Sequence, residues 1–266
     1  MQKKTVLVLK IGGSVLDDPS TLKTCLAQFA LLPQAKLLVH GGGSIATNIG
    51  KQMGIKPQYH NGRRLTDAPT LDLITMVYAG LLNKQVVAKL QGLGSNAIGF
   101  TGADGNMLVA KKRPATPIDF GFVGDVSDEA VNITLLRSLL ESGYTPVMAP
   151  VTHDGHGQLL NTNADSIAQA FAVGLQQFYD VTLIYGFEKK GVLLNKDDEE
   201  SFIPKLNMVQ YNKMIAEGSI TDGMIPKLTN AFAAASKGIG RVIIGNALAL
   251  GDILNGSSGT TIDSNA

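Results

Sequence analysis

Hydrophobic positions follow two alternating patterns along the chain. Short, mostly β-branched or leucine-rich runs lie at residues 5–10, 36–40, 97–100, 107–110, 122–126, 146–149, 181–185 and 241–244, and these are predicted strands. Between them, apolar residues recur at helical spacing over 20–32, 44–54, 68–90, 129–142, 164–176, 208–217, 223–237 and 247–254. Several strand runs are continuously hydrophobic, as strands covered on both faces are. The alternation predicts an α/β fold with a mainly parallel sheet. Asp67 precedes the third helix and Asp165 opens the fifth, where a side-chain oxygen can accept from free helix N–H groups. Asp154-Gly155, between two apolar stretches, signals a hairpin.

Neither an internal repeat nor a Ser/Pro-rich linker divides the 266 residues. A split into two lobes is predicted near residues 176–180, giving lobes 1–177 and 178–266 with one sheet running through both. The acidic run Asp197-Asp198-Glu199-Glu200 reads as a solvated loop. A formal net charge of +1 leaves no electrostatic footprint for nucleic acid or an anionic membrane. The single cysteine, Cys25, excludes an internal disulfide and fits a reducing, cytoplasmic setting. The apolar stretch at residues 6–9 is too short for a signal peptide, and no run is long enough to span a membrane.

Glycine is the compositional outlier, at 30 of 266 residues, and its placement carries the chemistry. The first strand ends in Lys10-Ile11-Gly12-Gly13-Ser14, and the second ends in His40-Gly41-Gly42-Gly43-Ser44 before a helix. Without Cβ atoms such turns bring backbone N–H groups against phosphate oxygens, and a helix N-terminus adds to the attraction. Either turn alone is equally explained as a tight connection. Two at the same end of a parallel sheet, where α/β sheets bind ligands, favour a functional reading. No Walker A loop is present, and no G-x-S-x-G elbow accompanies the glycine run as an esterase would need. Gly41, Gly43 and Ala46, with Asp67 further on, do fit a loose dinucleotide fingerprint, so a nicotinamide or flavin oxidoreductase stays open on the residues alone.

Two lysines stand out. Lys10 ends an apolar strand, where a charge needs a partner or ligand. Lys227 follows Pro226 in a predicted first helical turn, where a cation opposes the helix dipole unless an anion is bound. Both are expected to point at one polyphosphate. Asn161, Asn163 and Asp165 precede an apolar helix and suit either capping or a polar substrate. Arg63-Arg64 offers a guanidinium fork for a carboxylate, although sequence physics alone favours a surface arginine pair. His153 and His156 read as a solvated hairpin rather than a metal site.

Taken together these residues resemble the amino acid kinase family. The matching motifs are Lys10-Ile-Gly-Gly13, His40-Gly-Gly-Gly43, Asn61-Gly-Arg-Arg64, Phe122-Val-Gly124, Leu160-Asn-Thr-Asn-Ala-Asp165, Ile220-Thr-Asp-Gly-Met-Ile-Pro-Lys227 and Gly259-Thr-Thr-Ile262, in family order over nearly the whole chain. The resemblance implies an open αβα sandwich, an N-terminal lobe for an acylated amino acid and a C-terminal lobe for ATP. It implies ATP-dependent phosphorylation of the side-chain carboxylate of an N-acylated glutamate, acetylated or succinylated, in arginine biosynthesis. Mg²⁺ would ride on the ATP phosphates, with no metal-ligand set in the protein. Another carboxylate or carbamate kinase, or a non-catalytic amino-acid sensor, is the alternative.

By the same resemblance Lys10 and Lys227 are the transition-state stabilisers, and Asp165 holds them. Gly42, Gly43, Arg64, Asn161 and Asn163 are substrate contacts. Gly12, Gly13, Glu188, Lys189, Lys190, Gly191, Val192, Leu193, Ser219, Ile220 and Thr221 are nucleotide contacts. The sequence departs from the family pattern at Glu188, where an aspartate is usual, and the two lysines after it become candidates for phosphate or ribose. Lys10 stands close to the start, without the N-terminal helix of arginine-sensitive hexameric relatives. A homodimer paired through the 68–90 helix, and not an arginine-inhibited hexamer, is therefore expected.

Overall fold

The computed structural model describes residues 3–195, 197–220 and 224–264. Its organisation follows from the first strand, Thr5–Ile11. Val6 and Val8 enter one core with Leu37, Val39, Val181 and Leu183, whereas Leu7, Leu9 and Ile11 enter another with Leu38, Val147 and Ile184. Side chains alternate across a pleated strand, so a strand apolar at every position must be covered on both faces. Ile133–Glu141, Ala164–Leu175, Met208–Ala216 and Ile225–Ala235 cover the first face. Pro19–Leu31, Asn83–Gly92 and Leu250–Asn255 cover the second. The result is an αβα sandwich.

Eight strands make the central sheet, in the order Lys205–Asn207, Thr260–Asp263, Arg241–Asn246, Asp180–Phe187, Thr5–Ile11, Ala35–His40, Thr145–Met148 and Ala97–Phe100. All neighbours run parallel except Arg241–Asn246 with Thr260–Asp263. The later part of the chain thus supplies four adjacent strands and the earlier part the other four. They meet where Lys10 pairs with Tyr185. A smaller sheet contains the anticipated hairpin, in which Val151–His153 runs antiparallel to Leu159–Thr162 around Asp154-Gly155.

Several boundaries differ from the periodicity. Residues 107–110 form only isolated bridges, Leu108 to Val131 and Val109 to His153, and the 122–126 strand shortens to Val123–Asp125. The helix expected from 129 begins at Ile133, because Asn132 caps it by accepting from the Leu135 N–H. The strands Lys205–Asn207 and Thr260–Asp263, and the pair Gln58–His60 and Arg63–Leu65, are too short and polar to carry a periodic signal. The long helix expected over 68–90 is continuous but not uniform: Ala68–Ile74 leads into a π-helical stretch, Thr75–Leu82, before Asn83–Gly92. The predicted opening of the 223–237 helix falls outside the described residues at Gly223. No helix among the described residues is long and apolar enough to cross a membrane.

Candidate active site

Lys10 shares the parity of Val6 and Val8, so it faces the side of the sheet covered by Ala164–Leu175 and Ile225–Ala235. The first turns of those two helices carry Asp165 and Lys227. Asn163 caps the former, accepting from the N–H groups of Asp165 and Ser166 at 2.8 and 3.1 Å. The Asp165 carboxylate is therefore not spent on capping. Its Oδ1 lies 2.7 Å from Lys10 Nζ, and its Oδ2 accepts from Asn230 Nδ2 at 3.0 Å.

Asp165 grips one lysine, not the anticipated two. No ion pair joins it to Lys227, whose ammonium instead sits over the Phe187 ring, 4.8 Å from the centroid. Burial, and then the neighbouring charge of Lys10, pushes the Lys227 pKa down, against the opposing pull of Glu188 and Asp165. Two ammonium groups thus lie close together with a single closely paired carboxylate. An anionic ligand between them would relieve the imbalance.

The two glycine turns stack beside this pair. The Gly41 N–H donates to Ile11 O at 2.8 Å, and a Cβ on Gly41 would lie 3.4 Å from Gly12 Cα. A Cβ on Gly12 would lie 3.1 Å from Lys10 Nζ. Gly42 (φ 146°) is the N-cap of the helix Gly43–Gln52, and Gly13 (φ 51°) precedes the single turn Ser14–Asp17. Residues at a helix start have N–H groups with no intrahelical acceptor, so these turns are suited to anion oxygens.

Two clefts flank the charged cluster. The first, about 250 Å³, is lined by Gly41, Gly42, Gly43, Arg64, Asn161 and Asn163 among others. Arg64 is not the surface arginine that sequence physics favoured: it is buried, donates to Gly43 O at 2.8 Å and Thr47 Oγ1 at 2.7 Å, and stacks on Tyr59. Asn161 Nδ2 donates to Thr66 Oγ1 at 3.0 Å. The second cleft, about 180 Å³, is lined by Lys189, Gly191, Val192, Leu193, Ser219, Ile220 and Met224. Thr221 lies outside the described residues. Asp165 follows Ala164 of the first cleft, and Lys227 stands three residues after Met224 of the second.

A model of the amino acid kinase family matches residues 5–246. The chain belongs to the amino acid kinase family. It is 52% identical over 242 residues to acetylglutamate kinase of Bacteroides fragilis, covering 91% of this chain and 92% of the relative. It is 49% identical over 256 residues to acetylglutamate kinase of Cytophaga hutchinsonii, covering 96% of each. Among solved structures, smu.665 of Streptococcus mutans UA159 superimposes with a TM-score of 0.79 at 27% identity, covering 98% of this chain and 99% of that one.

For a member of this family, the loop after Asp180–Phe187 is where the sequence departs most. Glu188 is exposed. Lys189 pairs with Glu199, and Lys190 with Glu200, each at 2.8 Å, so the acidic run is exposed as expected and is tied to this loop by ion pairs. Both pairs are largely exposed and contribute at most about 1 kcal/mol each, which a phosphate could displace. The terminal Gly259-Thr260 motif supports this loop from behind. Thr260 Oγ1 accepts from the Val192 N–H at 2.8 Å, and a Cβ on Gly191 would come within 2.6 Å of that hydroxyl.

Other residues escaped the sequence reading. Tyr59, Tyr78 and Arg113 line the first cleft, and as single side chains on three separate segments they give no motif. Asn230 was legible in principle, because it stands one helical turn beyond Lys227 on the same face. His153 is buried rather than solvated. Burial pushes the Cys25 thiol up to about 12, which makes it an inert core residue.

Proposed function

We propose that the chain catalyses ATP-dependent phosphorylation of the side-chain carboxylate of N-acetyl-L-glutamate, giving the acyl phosphate of an early arginine-biosynthesis step. The observation that carries this reading is the Lys10–Asp165 ion pair with Lys227 beside it, between two clefts and against two glycine turns. The relatives named acetylglutamate kinase point the same way. MgATP is the co-substrate, its metal carried on the phosphates. Residues 1–177 hold the acyl amino acid and 178–266 the nucleotide.

A glutamate side chain with a pKa near 4.3 is already ionised at neutral pH, so it attacks the γ-phosphorus without a general base. What remains is in-line positioning and neutralisation of charge. Arg64 and Asn161 hold the acylated amino acid, with Asn163 fixing the start of the helix beside it. The N–H groups of Gly42 and Gly43, together with those of Gly12 and Gly13, meet phosphoryl oxygens. Each of Lys10 and Lys227, at about 4 Å from such an oxygen, is worth roughly 4 kcal/mol at an effective dielectric near 20. Asp165 fixes the direction of Lys10, and Asn230 fixes Asp165. The adenosine end of ATP lies in the second cleft against Gly191, Val192, Leu193, Ser219 and Ile220. Lys189 and Lys190 exchange their glutamates for phosphate or ribose.

The enzyme is taken as a cytoplasmic homodimer that pairs through the long helix. Met76 and Leu81 on that helix are exposed large apolar side chains. Met76→Glu combined with Leu81→Glu should convert a dimer to a monomer by light scattering, and an unchanged mass rejects this surface.

Hydroxylamine trapping tests the reaction. N-acetyl-L-glutamate, N-succinyl-L-glutamate, L-glutamate and L-aspartate are each supplied with MgATP. Hydroxamate from an N-acyl glutamate and not from the free amino acids is expected, and no ATP-dependent hydroxamate from any of them rejects the reading.

A further inference from the structure

His40 ends the strand Ala35–His40 with the parity of Leu38, so it faces the opposite side of the sheet from Lys10, toward the helix Asn83–Gly92. It is fully buried, and burial lowers its pKa to about 4, so the ring is neutral. Its Nδ1 is 2.8 Å from Gly41 O, which can only accept; Nδ1 therefore carries the proton. That leaves Nε2 as an acceptor, and Asn83 Nδ2 donates to it at 3.3 Å while also donating to Val147 O at 2.9 Å. Asn83 is itself buried, in space that exists because residue 99 is glycine: a Cβ there would lie 1.9 Å from Asn83 Oδ1.

The peptide between Gly41 and Gly42 is planar and trans, so its C=O and N–H point in opposite directions. Holding the Gly41 carbonyl toward the buried imidazole aims the Gly42 N–H the other way. The same Gly42 packs on Tyr78 and Leu82, where a Cβ would come within 3.0 and 2.4 Å. Tyr78, Leu82 and Asn83 reach one turn because the helix is π-helical over Thr75–Leu82. At 3.6 residues per turn, residues five apart diverge by about 140°, whereas i→i+5 pairing brings them toward one face.

We propose that His40 and Asn83 are positioning residues for phosphoryl transfer: the π-helical stretch places Asn83, Asn83 holds the imidazole ring by donating to Nε2, and His40 aims the Gly42 N–H at the transferring phosphoryl group. The relay rests on the kinase reading above. It acts where charge develops, so its loss lowers kcat and leaves substrate binding nearly intact.

The test compares wild type with Asn83→Leu, His40→Leu and His40→Asn in the hydroxamate assay, with KM for both substrates and Tm for each. Asn83→Leu and His40→Leu should lose about 10- to 100-fold in kcat, with each KM within about twofold of wild type. His40→Asn, whose amide occupies the Nδ1 position and can still donate to Gly41 O, should recover most of that loss. In ¹⁵N spectra of the imidazole, wild type should show the Nδ1–H tautomer, and Asn83→Leu, which removes the donor to Nε2, should shift the Nε2 resonance. Wild-type kcat in Asn83→Leu, or His40→Asn no better than His40→Leu, overturns the relay alone. A wild-type enzyme that forms no hydroxamate overturns the kinase reading and the relay together.

Discussion

Lys10 Nζ lies 2.7 Å from Asp165 Oδ1, although the strand end and the helix start that carry them stand 155 positions apart in the chain. Strand parity turns Lys10 toward the helix Ala164–Leu175, and capping by Asn163 leaves the Asp165 carboxylate to meet it. The side chains are 20% and 17% exposed, enough to be reached by a ligand and too little for water to dominate their pairing. The ammonium is held in one direction before any phosphate arrives, which is what a preorganised electrostatic site requires.

Removing either lysine should therefore damage chemistry and spare the fold. Lys10→Ala or Lys227→Ala is expected to lose on the order of 10²–10³ in kcat. Asp165→Asn should lose less, because Lys10 keeps its charge and loses only its direction. Steady-state hydroxamate rates alongside thermal melts decide this. Near-wild-type turnover in both lysine variants rejects the assignment.

The architecture was legible because short, β-branched apolar runs such as Val6 to Leu9, alternating with longer helical stretches, read as strands covered on both sides. The glycine turns were legible because they interrupt that pattern at one end of the sheet. What could not be read was set by distant partners. Nothing in the local sequence around Lys189 indicates Glu199, and nothing around Arg64 indicates that Gly43 O and Thr47 would bury it. The π-helical stretch was equally hidden. Thr75–Leu82 satisfies a helical pattern, and nothing in that pattern separates a π-helical register from an α-helical one.

The space at Gly99 makes a steric prediction. A Cβ there would meet Asn83 Oδ1 at 1.9 Å and Lys84 Nζ at 2.8 Å. Lys84 can move, but buried Asn83 cannot without breaking its bonds to His40 and Val147. Gly99→Ala should thus destabilise by about 1–3 kcal/mol, as overpacking does, and should lower kcat in the manner of Asn83→Leu. A denaturant titration with parallel kinetics checks both. A stable variant with full turnover would show that Asn83 is free to move.

Acid should expose the buried imidazole. The folded-state pKa of His40 is about 4 against an ordinary 6.5, so between those values the unfolded chain binds the extra proton. Stability attributable to this group is complete above about pH 6.5 and is lost as pH falls toward 4. Between pH 7 and pH 5 it should contribute a decline of about 2 kcal/mol. Urea unfolding of wild type and His40→Asn at the two pH values isolates it, since asparagine does not titrate. Equal declines in the two proteins would mean that the ring is hydrated or already charged.

Alkali should act through Lys227 instead. Burial, and then the charge of Lys10, lowers its pKa below the ordinary 10.5, so the free enzyme loses this cation earlier as pH rises. The alkaline limb of kcat/KM reports the free enzyme and should fall below pH 10.5. Bound MgATP places phosphate charge beside the ammonium and raises its pKa, so the alkaline limb of kcat should lie at higher pH than that of kcat/KM. Lys227→Arg, which does not deprotonate in this range, should flatten both limbs whatever its residual rate. Coincident limbs in the wild type, or an unchanged profile in Lys227→Arg, would place the titrating group elsewhere and leave the Lys227 ammonium without a part in phosphoryl transfer.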